Sequence, residues 1–151
     1  FLRQLLDMRQ MMEPKAACWA AQHGTDAQHA DIEAAQIRME DESHSIEDFV
    51  VADALFHRAI LRAANNEILL SMEGVIFSAL LSSIRLTNRD PRENASSIPF
   101  HRKVLDAIKA RDYTLAEKMM NDHLSDTSQR LESALGETEG GVISNGESRT
   151  D

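Results

Sequence analysis

Apolar residues recur every three or four positions along most of the chain, and polar residues fill the positions between them. This spacing gathers apolar side chains on one face of an α-helix, whereas a strand would need an alternation that nowhere persists. Gly and Pro are also few, at 6 and 3 residues. The pattern predicts an all-α fold, an antiparallel bundle of six or seven helices.

Capping residues and breaks set the predicted helix ends. The first helix should run over Leu2–His23, bend at Pro14 and stop at Gly24. A tight break is expected at Asn65 and Asn66, because Asn tolerates the left-handed conformation and also caps helices. The second predicted helix runs from a Thr25–Gln28 capping box to about Glu40, the third from a Ser45 cap to about Ala64, and the fourth over Glu67–Thr87. A loop is expected over Asn88–Ser97. The fifth predicted helix has Pro99 in its first turn and ends near Ala110, and the sixth runs from a Thr114–Glu117 capping box to about Leu135.

The length of 151 residues fits one domain with a single core. We expect this domain to occupy residues 1–135, because the polar, Gly-rich sequence of 136–151 is typical of a disordered tail. The chain opens at Phe1 directly in a helical pattern, without Met or a signal peptide. We therefore expect its natural start to be missing.

Charge and composition narrow the class of protein. A net charge of -9 would repel phosphate backbones, so this piece is not expected to bind DNA itself. No apolar run approaches the roughly 20 residues needed to cross a bilayer, so no membrane partner is expected. The only cysteine, Cys18, cannot form an intramolecular disulfide, which favours a reducing compartment and a cytoplasmic location.

Four polar residues fall on the predicted apolar faces of three helices. Asp53 and His57 continue the apolar stripe of the third predicted helix, and residues four apart lie one above the other on a helix, so both side chains can reach one common atom. His101 and His123 share faces with apolar residues in the fifth and sixth predicted helices. All four side chains should therefore point into the bundle.

Two interpretations of these four residues follow. A buried carboxylate must be paired or metal-bound to offset its desolvation, and three imidazoles with one carboxylate form a site for a first-row divalent metal ion. The alternative is a buried hydrogen-bond network between Asp53 and the histidines. Zinc is the expected metal, and nickel, manganese or iron(II) would also accept these ligands.

The other histidines and the known catalytic motifs add no further site. His23 falls at a helix end, His29 at the start of the second predicted helix and His44 in a polar loop, so we assign them no function. The sequence contains no HExxH motif, no ExxH pair, no Gly-rich phosphate loop and no GxSxG motif. We therefore predict no catalytic residue and no enzymatic activity.

Four sequence segments resemble one family of bacterial proteins. The chain is similar, over about Leu5–Leu135, to the FadR-type C-terminal effector domain (FCD) of GntR-family transcription regulators. The segments that carry this resemblance are MRQMMEPKAA at Met8–Ala17, DALFHRAILRAANN at Asp53–Asn66, FHRKVLDAIKARD at Phe100–Asp112 and AEKMMNDHL at Ala116–Leu124. The first segment and its continuation look similar to the sugar-acid (galactonate repressor) type within that family.

The resemblance implies a function for particular residues. Asp53, His57, His101 and His123 correspond to the metal ligands of the family, and Arg9 to the arginine that meets the carboxylate of an effector. A guanidinium suits that role because it donates two parallel hydrogen bonds to a carboxylate. A surface arginine without function is the alternative for Arg9.

The resemblance also implies partners. It predicts a small organic acid as effector, a homodimer, and DNA binding only through an N-terminal winged-helix domain that this chain lacks. Two other functions stay open. One is a structural, metal-stabilised dimerisation domain, and the other is a metal-dependent hydrolase or isomerase.

Overall fold

A computed structural model describes residues 1–41 and 45–140, with side chains as far as Gly136. The described residues form helices and no strand, which confirms the predicted all-α fold. The helices are α1 (Leu2–His23), α2 (Asp26–Glu40), α3 (Ile46–Ala63), α4 (Glu67–Ser71), α5 (Glu73–Thr87), α6 (Pro91–Lys109) and α7 (Tyr113–Gly140).

The first three helices and the break after them follow the capping signals. Thr25 and Gln28 form the predicted capping box of α2, and Ser45 forms a full capping box with Asp48 at the start of α3. Asn65 adopts the left-handed conformation, with φ of 52°, and the Asn66 side chain accepts a hydrogen bond from the Leu69 N–H. These short-range predictions are confirmed because each cap is closed by residues only three positions apart.

The single helix predicted over 67–87 is wrong, because the chain breaks it at Met72 into α4 and α5. The Met72 N–H turns back to the carbonyls of Leu69 and Leu70. No residue of α4 is buried, whereas α5 buries four residues and packs mainly against α3. Gly74 lowers helix propensity beside the break, so the two segments separate. Only α5 buries residues in the core, and α4 adds the partly buried Leu69.

The loop predicted over 88–97 is also wrong from Pro91 onward. The Asp90 side chain caps α6 by accepting from the Arg92 N–H, and Pro91 occupies the first helical positions. Pro99, which was expected in the first turn, lies inside the helix. Both Pro91 and Pro99 could stand in the first turn of a helix. The helix begins at Pro91 because its early turns bury Asn94 and Ser97.

The start and end of α7 differ from the prediction by a few residues. Asp112, not Thr114, supplies the cap, because its Oδ1 accepts from the Leu115 N–H at 3.1 Å. The helix then continues to Gly140, five residues beyond the predicted end at Leu135. The remainder of the predicted disordered tail, residues 141–151, lies outside the described residues.

The core lies between α1, α2, α3, α6 and α7, and α5 packs against it through α3 and α1. The helix α1 packs mainly against α7 and α3, and α6 packs mainly against α7. Small side chains on α1 allow this close approach, since Ala16, Ala17, Ala20 and Ala21 are fully buried. The largest fully buried apolar side chains of the whole bundle are Leu6, Ile32, Phe56, Ile60, Leu80, Ile84, Leu105, Ile108, Met120 and Leu124.

Candidate metal centre

Asp53, His57, His101 and His123 lie together inside the bundle. Asp53 and His57 stand one turn apart on α3, His101 lies on α6 and His123 on α7. Each residue is at most 4% exposed. One nitrogen from each histidine lies within 4.8 Å of the nitrogens of the other two. The helical stripes therefore point these side chains inward as predicted, and three helices contribute to one cluster.

Asp53 contacts two histidines of this cluster. Its Oδ1 lies 2.9 Å from Nε2 of His101 and 3.2 Å from Nε2 of His57. Its Oδ2 accepts a hydrogen bond of 2.8 Å from the Asn88 side-chain amide. One carboxylate oxygen thus faces two imidazoles, while the amide fixes the other oxygen.

The ring of His101 is fixed by the backbone of its own helix. Its Nδ1 lies 2.8 Å from the Ser97 carbonyl oxygen, which can only accept, so Nδ1 donates. In the neutral ring Nε2 then carries a lone pair, and this lone pair points at the Asp53 carboxylate. Two electron-rich atoms at this distance need a cation between them, which is either a proton or a metal ion. Backbone carbonyls commonly fix metal-binding imidazoles in this way.

His123 completes the cluster from α7. Its ring is tilted against that of His101, with centroids 4.1 Å apart, and is stacked on that of His57, with centroids 5.4 Å apart. Its Nδ1 is fully buried and finds no hydrogen-bond partner among the described residues. Burial, together with the charges of His101 and His57, holds the pKa of His123 well below its ordinary value of 6.5. The imidazole of His123 is therefore neutral and can donate a lone pair to a metal ion.

A charged pair on α1 borders the cluster beside His57. Arg9 and Glu13 are at most 2% exposed, and Arg9 Nε donates to Glu13 Oε1 at 3.0 Å. The terminal Nη2 of Arg9 lies 3.3 Å from His57 Nε2, and Glu13 Oε2 lies 2.7 Å from His57 Nδ1. The interpretation of Arg9 as a surface residue is therefore wrong, because its guanidinium contacts the cluster.

The carboxylates of the site are strongly acidic despite their burial. Burial raises the pKa of Asp53, but the charge and hydrogen bonds of His101 and His57 outweigh it and hold the pKa well below 3.8. Burial also raises the pKa of Glu13, and the charges of Arg9 and His57 lower it to about 2. The pKa of His57 is itself raised, since the charge of Glu13 opposes the effect of burial. Both carboxylates are ionised at neutral pH.

These residues fit a divalent metal ion. First-row metals accept a donor set of imidazoles and a carboxylate. Here three imidazole nitrogens lie within 4.8 Å of one another, and the carboxylate contacts two of the rings. The lone pair of His101 and the unpartnered Nδ1 of His123 have no protein hydrogen to accept. A cation would also offset the desolvation of Asp53. The alternative of a hydrogen-bond network accounts for His101 and Asp53 but leaves His123 without a partner.

Sequence reasoning missed two residues of this region, Glu13 and Asn88. Both are buried, and each contacts a member of the cluster directly. Glu13 stands one turn after Arg9, and both share a stripe with Leu6 and Ala17, a helical pattern that could have identified it. The more apolar side chains of Met8, Met12 and Trp19 on this helix are only half-buried.

Of the remaining histidines, His23 and His29 lie away from the cluster. His23 is exposed, and the placement of His44 lies outside the described residues. His29 is buried and its Nε2 lies 2.9 Å from the Ala20 carbonyl. A side chain at Gly24 would collide with that imidazole, so Gly24 serves close packing here.

The fold and the cluster define an all-helical domain with a buried constellation of histidines and a carboxylate. The FCD domain family matches residues 4–126, which is most of the chain. The chain belongs to the FCD family, the effector domains of GntR-type transcription regulators.

Among the described residues, no helix is long and apolar enough to cross a membrane.

Relatives with known names are transcription regulators. The chain is 28% identical over 127 residues to the galactonate operon transcriptional repressor of Escherichia coli, covering 83% of this chain and 55% of that protein. It is 25% identical over 139 residues to the Glc operon transcriptional activator of the same species, covering 86% and 55%. The chain spans about half the length of these relatives. This membership supports a regulatory role in effector binding.

Two solved structures share the fold. A GntR protein of Streptococcus agalactiae superposes with a TM-score of 0.67 at 24% identity, covering 85% of this chain and 57% of that one. A GntR-family regulator of Pseudomonas syringae gives a TM-score of 0.74 at 14% identity, covering 94% and 60%. At these identities the likeness concerns the fold alone.

Proposed function

We propose that this chain is the effector-sensing domain of a transcription regulator and that it holds one divalent metal ion through Asp53, His57, His101 and His123. The observation that carries the proposal is the meeting of three imidazoles from three helices, two of which also contact one ionised carboxylate. Zinc is the first candidate, and nickel, manganese or iron(II) are also compatible with these donors. The ion would supply a positive centre that attracts an anionic oxygen ligand.

The proposed effector is a small hydroxy or sugar acid. Arg9 supports this proposal because its guanidinium borders the cluster and can pair with a carboxylate beside it. An α-hydroxy carboxylate offers two neighbouring oxygens, which suit adjacent coordination positions. Galactonate is the first acid to test, since one relative is a galactonate operon repressor, and lactate and dicarboxylates come next.

The rest of the regulator would convert binding into a change of transcription. We propose a homodimer in which an N-terminal winged-helix domain, outside this chain, contacts DNA. An effector can shift such a dimer only by binding one arrangement of the helices more tightly than another. Asp53, His57, His101 and His123 lie on three helices, so contacts at the cluster act on their mutual packing.

A second candidate function is a structural metal site. Burial of all four side chains and the junction of α3, α6 and α7 favour it, because a metal shared by several helices stabilises a fold. In that case the domain would serve dimerisation without sensing an acid. No observation favours catalysis.

Elemental analysis and calorimetry distinguish these proposals. Purified protein should contain about one equivalent of a divalent metal, and galactonate should bind to the loaded protein but not after chelation. Galactose, the corresponding neutral sugar, should not compete. Metal content without binding of any organic acid would favour the structural site. Equal affinity for the acid with and without metal would contradict coordination by the ion.

A further inference from the structure

Glu13 is a buried carboxylate that neither the proposed metal ligands nor the proposed acid contact includes. It is 1% exposed and lies on α1, whereas the proposed ligands lie on α3, α6 and α7. An ionised group at this depth is costly unless other groups compensate it. Its two oxygens approach two different functional side chains, Arg9 and His57.

We propose that Glu13 is a positioning residue that fixes the ring of His57 for metal binding and holds Arg9 beside it. The inference rests on the proposed function, since it assigns to Glu13 a role toward that metal and that acid. Glu13 is not a ligand in this proposal. It acts through the two residues that it contacts.

The contact with His57 lies on the side of the ring away from Asp53. Glu13 Oε2 lies 2.7 Å from Nδ1, an ion-pair distance without the alignment of a hydrogen bond, and the opposite nitrogen, Nε2, lies 3.2 Å from Asp53 Oδ1. A negative charge on this side favours the tautomer with the ring proton on Nδ1, which leaves the lone pair of Nε2 for a cation. A carboxylate behind a metal-binding imidazole also makes the imidazole a stronger ligand.

The contact with Arg9 uses both carboxylate oxygens. Arg9 Nε donates to Oε1 at 3.0 Å, and Nη2 lies 3.4 Å from Oε2. The same Nη2 lies 3.3 Å from His57 Nε2, the atom that a metal would take. A cation there removes that acceptor from Arg9, so its N–H becomes available to an acid while Glu13 keeps the guanidinium in place. Metal and acid would therefore bind in a coupled manner.

Glu13→Gln tests the positioning role, because it keeps the size of the side chain but leaves a single oxygen to accept. Zinc affinity, measured by competition with a chromophoric chelator, should fall about 10- to 100-fold. The visible spectrum of the cobalt(II)-loaded variant should also differ from that of the wild type, which a loss of stability alone would not produce. Glu73→Gln is the matched control, since Glu73 pairs with Arg58 and Arg62 away from the cluster, and its zinc affinity should not change.

The outcomes separate this inference from the proposed function. A wild-type protein that binds no zinc or cobalt overturns both. Wild-type binding with unchanged affinity and spectrum in Glu13→Gln overturns the positioning role alone. Should Glu13→Gln fail to fold by circular dichroism, Glu13→Asp replaces it, because the shorter carboxylate keeps its charge but cannot reach both partners. Full zinc affinity in that variant would equally refute the inference.

Discussion

Two ion pairs of the same helical spacing lie in opposite surroundings. Arg9 and Glu13 on α1 face the interior, with a closest distance of 3.0 Å and side chains only 3% and 1% exposed. Lys118 and Asp122 on α7 face outward, with 2.8 Å between the charged atoms and 65% and 46% exposure. Each pair joins residues four apart. The difference between the pairs is therefore a difference of environment and not of local geometry.

The comparison shows how environment decides the use of a charge. An exposed pair gains little because water and salt screen it, and such helical pairs contribute about 0.3–0.5 kcal/mol. A buried pair loses the hydration of both ions, and it is retained only where further groups compensate them. The buried charge of Glu13 is compensated by His57 as well as by Arg9, since Oε2 lies 2.7 Å from His57 Nδ1. The interior pair therefore contacts the histidine cluster through His57. The exterior pair lies on a helix face that is exposed to water.

Removal of a proposed ligand from the interior should have the largest effect. We expect His57→Ala to lower zinc affinity at least about 100-fold, because a binding free energy of roughly 10–16 kcal/mol shared by four ligands leaves about 3 kcal/mol for each. The melting temperature of the zinc-loaded protein should fall with it. Elemental analysis and calorimetric melting measure both quantities.

The matched control for that change is His23→Ala, since His23 is an exposed histidine in the last turn of α1. It should alter neither zinc content nor the melting temperature. Retention of full zinc content by His57→Ala would remove this residue from the proposed ligand set.

Removal of the interior cation should have an intermediate effect. Arg9→Ala takes away a charged donor that is worth about 1.5–3 kcal/mol, so the affinity for galactonate should fall roughly 10- to 100-fold. The free energy of unfolding should also fall by about 3 kcal/mol, because Glu13 stays buried without its guanidinium. Calorimetric titration and urea unfolding test the two parts, and unchanged acid affinity would exclude Arg9 from the effector contact.

Removal of the exterior cation should have the smallest effect. Lys118→Ala breaks the pair with Asp122 in full contact with water, so the free energy of unfolding should change by about 0.5 kcal/mol or less. Urea unfolding at low and high salt measures it. A loss as large as that of Arg9→Ala would show that burial does not separate the two pairs.

Most of the proposed metal site could be predicted from helical periodicity. Asp53 and His57 belong to a strong apolar stripe on α3, and His101 lies in an equally clear stripe on α6, so their inward direction follows from the spacing alone. The structure confirms that direction. Glu13 was harder to recognise, because its neighbours on the buried face of α1 are small alanines and a charged Arg9. A stripe of that kind carries little hydrophobic contrast.

Helix ends divide in the same way between local and distant causes. The caps at Thr25 and Ser45 are closed within four residues, so the sequence determines them. The break at Met72 and the choice of Pro91 over Pro99 depend on which segments bury their side chains against other helices. Local propensity leaves both alternatives open there, and tertiary packing decides between them.

The sequence by itself determined the helical fold, the inward direction of the four candidate ligands and the family that four of its segments resemble. Only the tertiary structure decided which atoms meet. The carboxylate of Asp53 lies between two imidazoles, Asn88 fixes its second oxygen, and Glu13 links Arg9 to His57. The physical reason is that periodicity specifies the face of a helix, whereas hydrogen-bond partners depend on the distance and rotation between helices far apart in the chain.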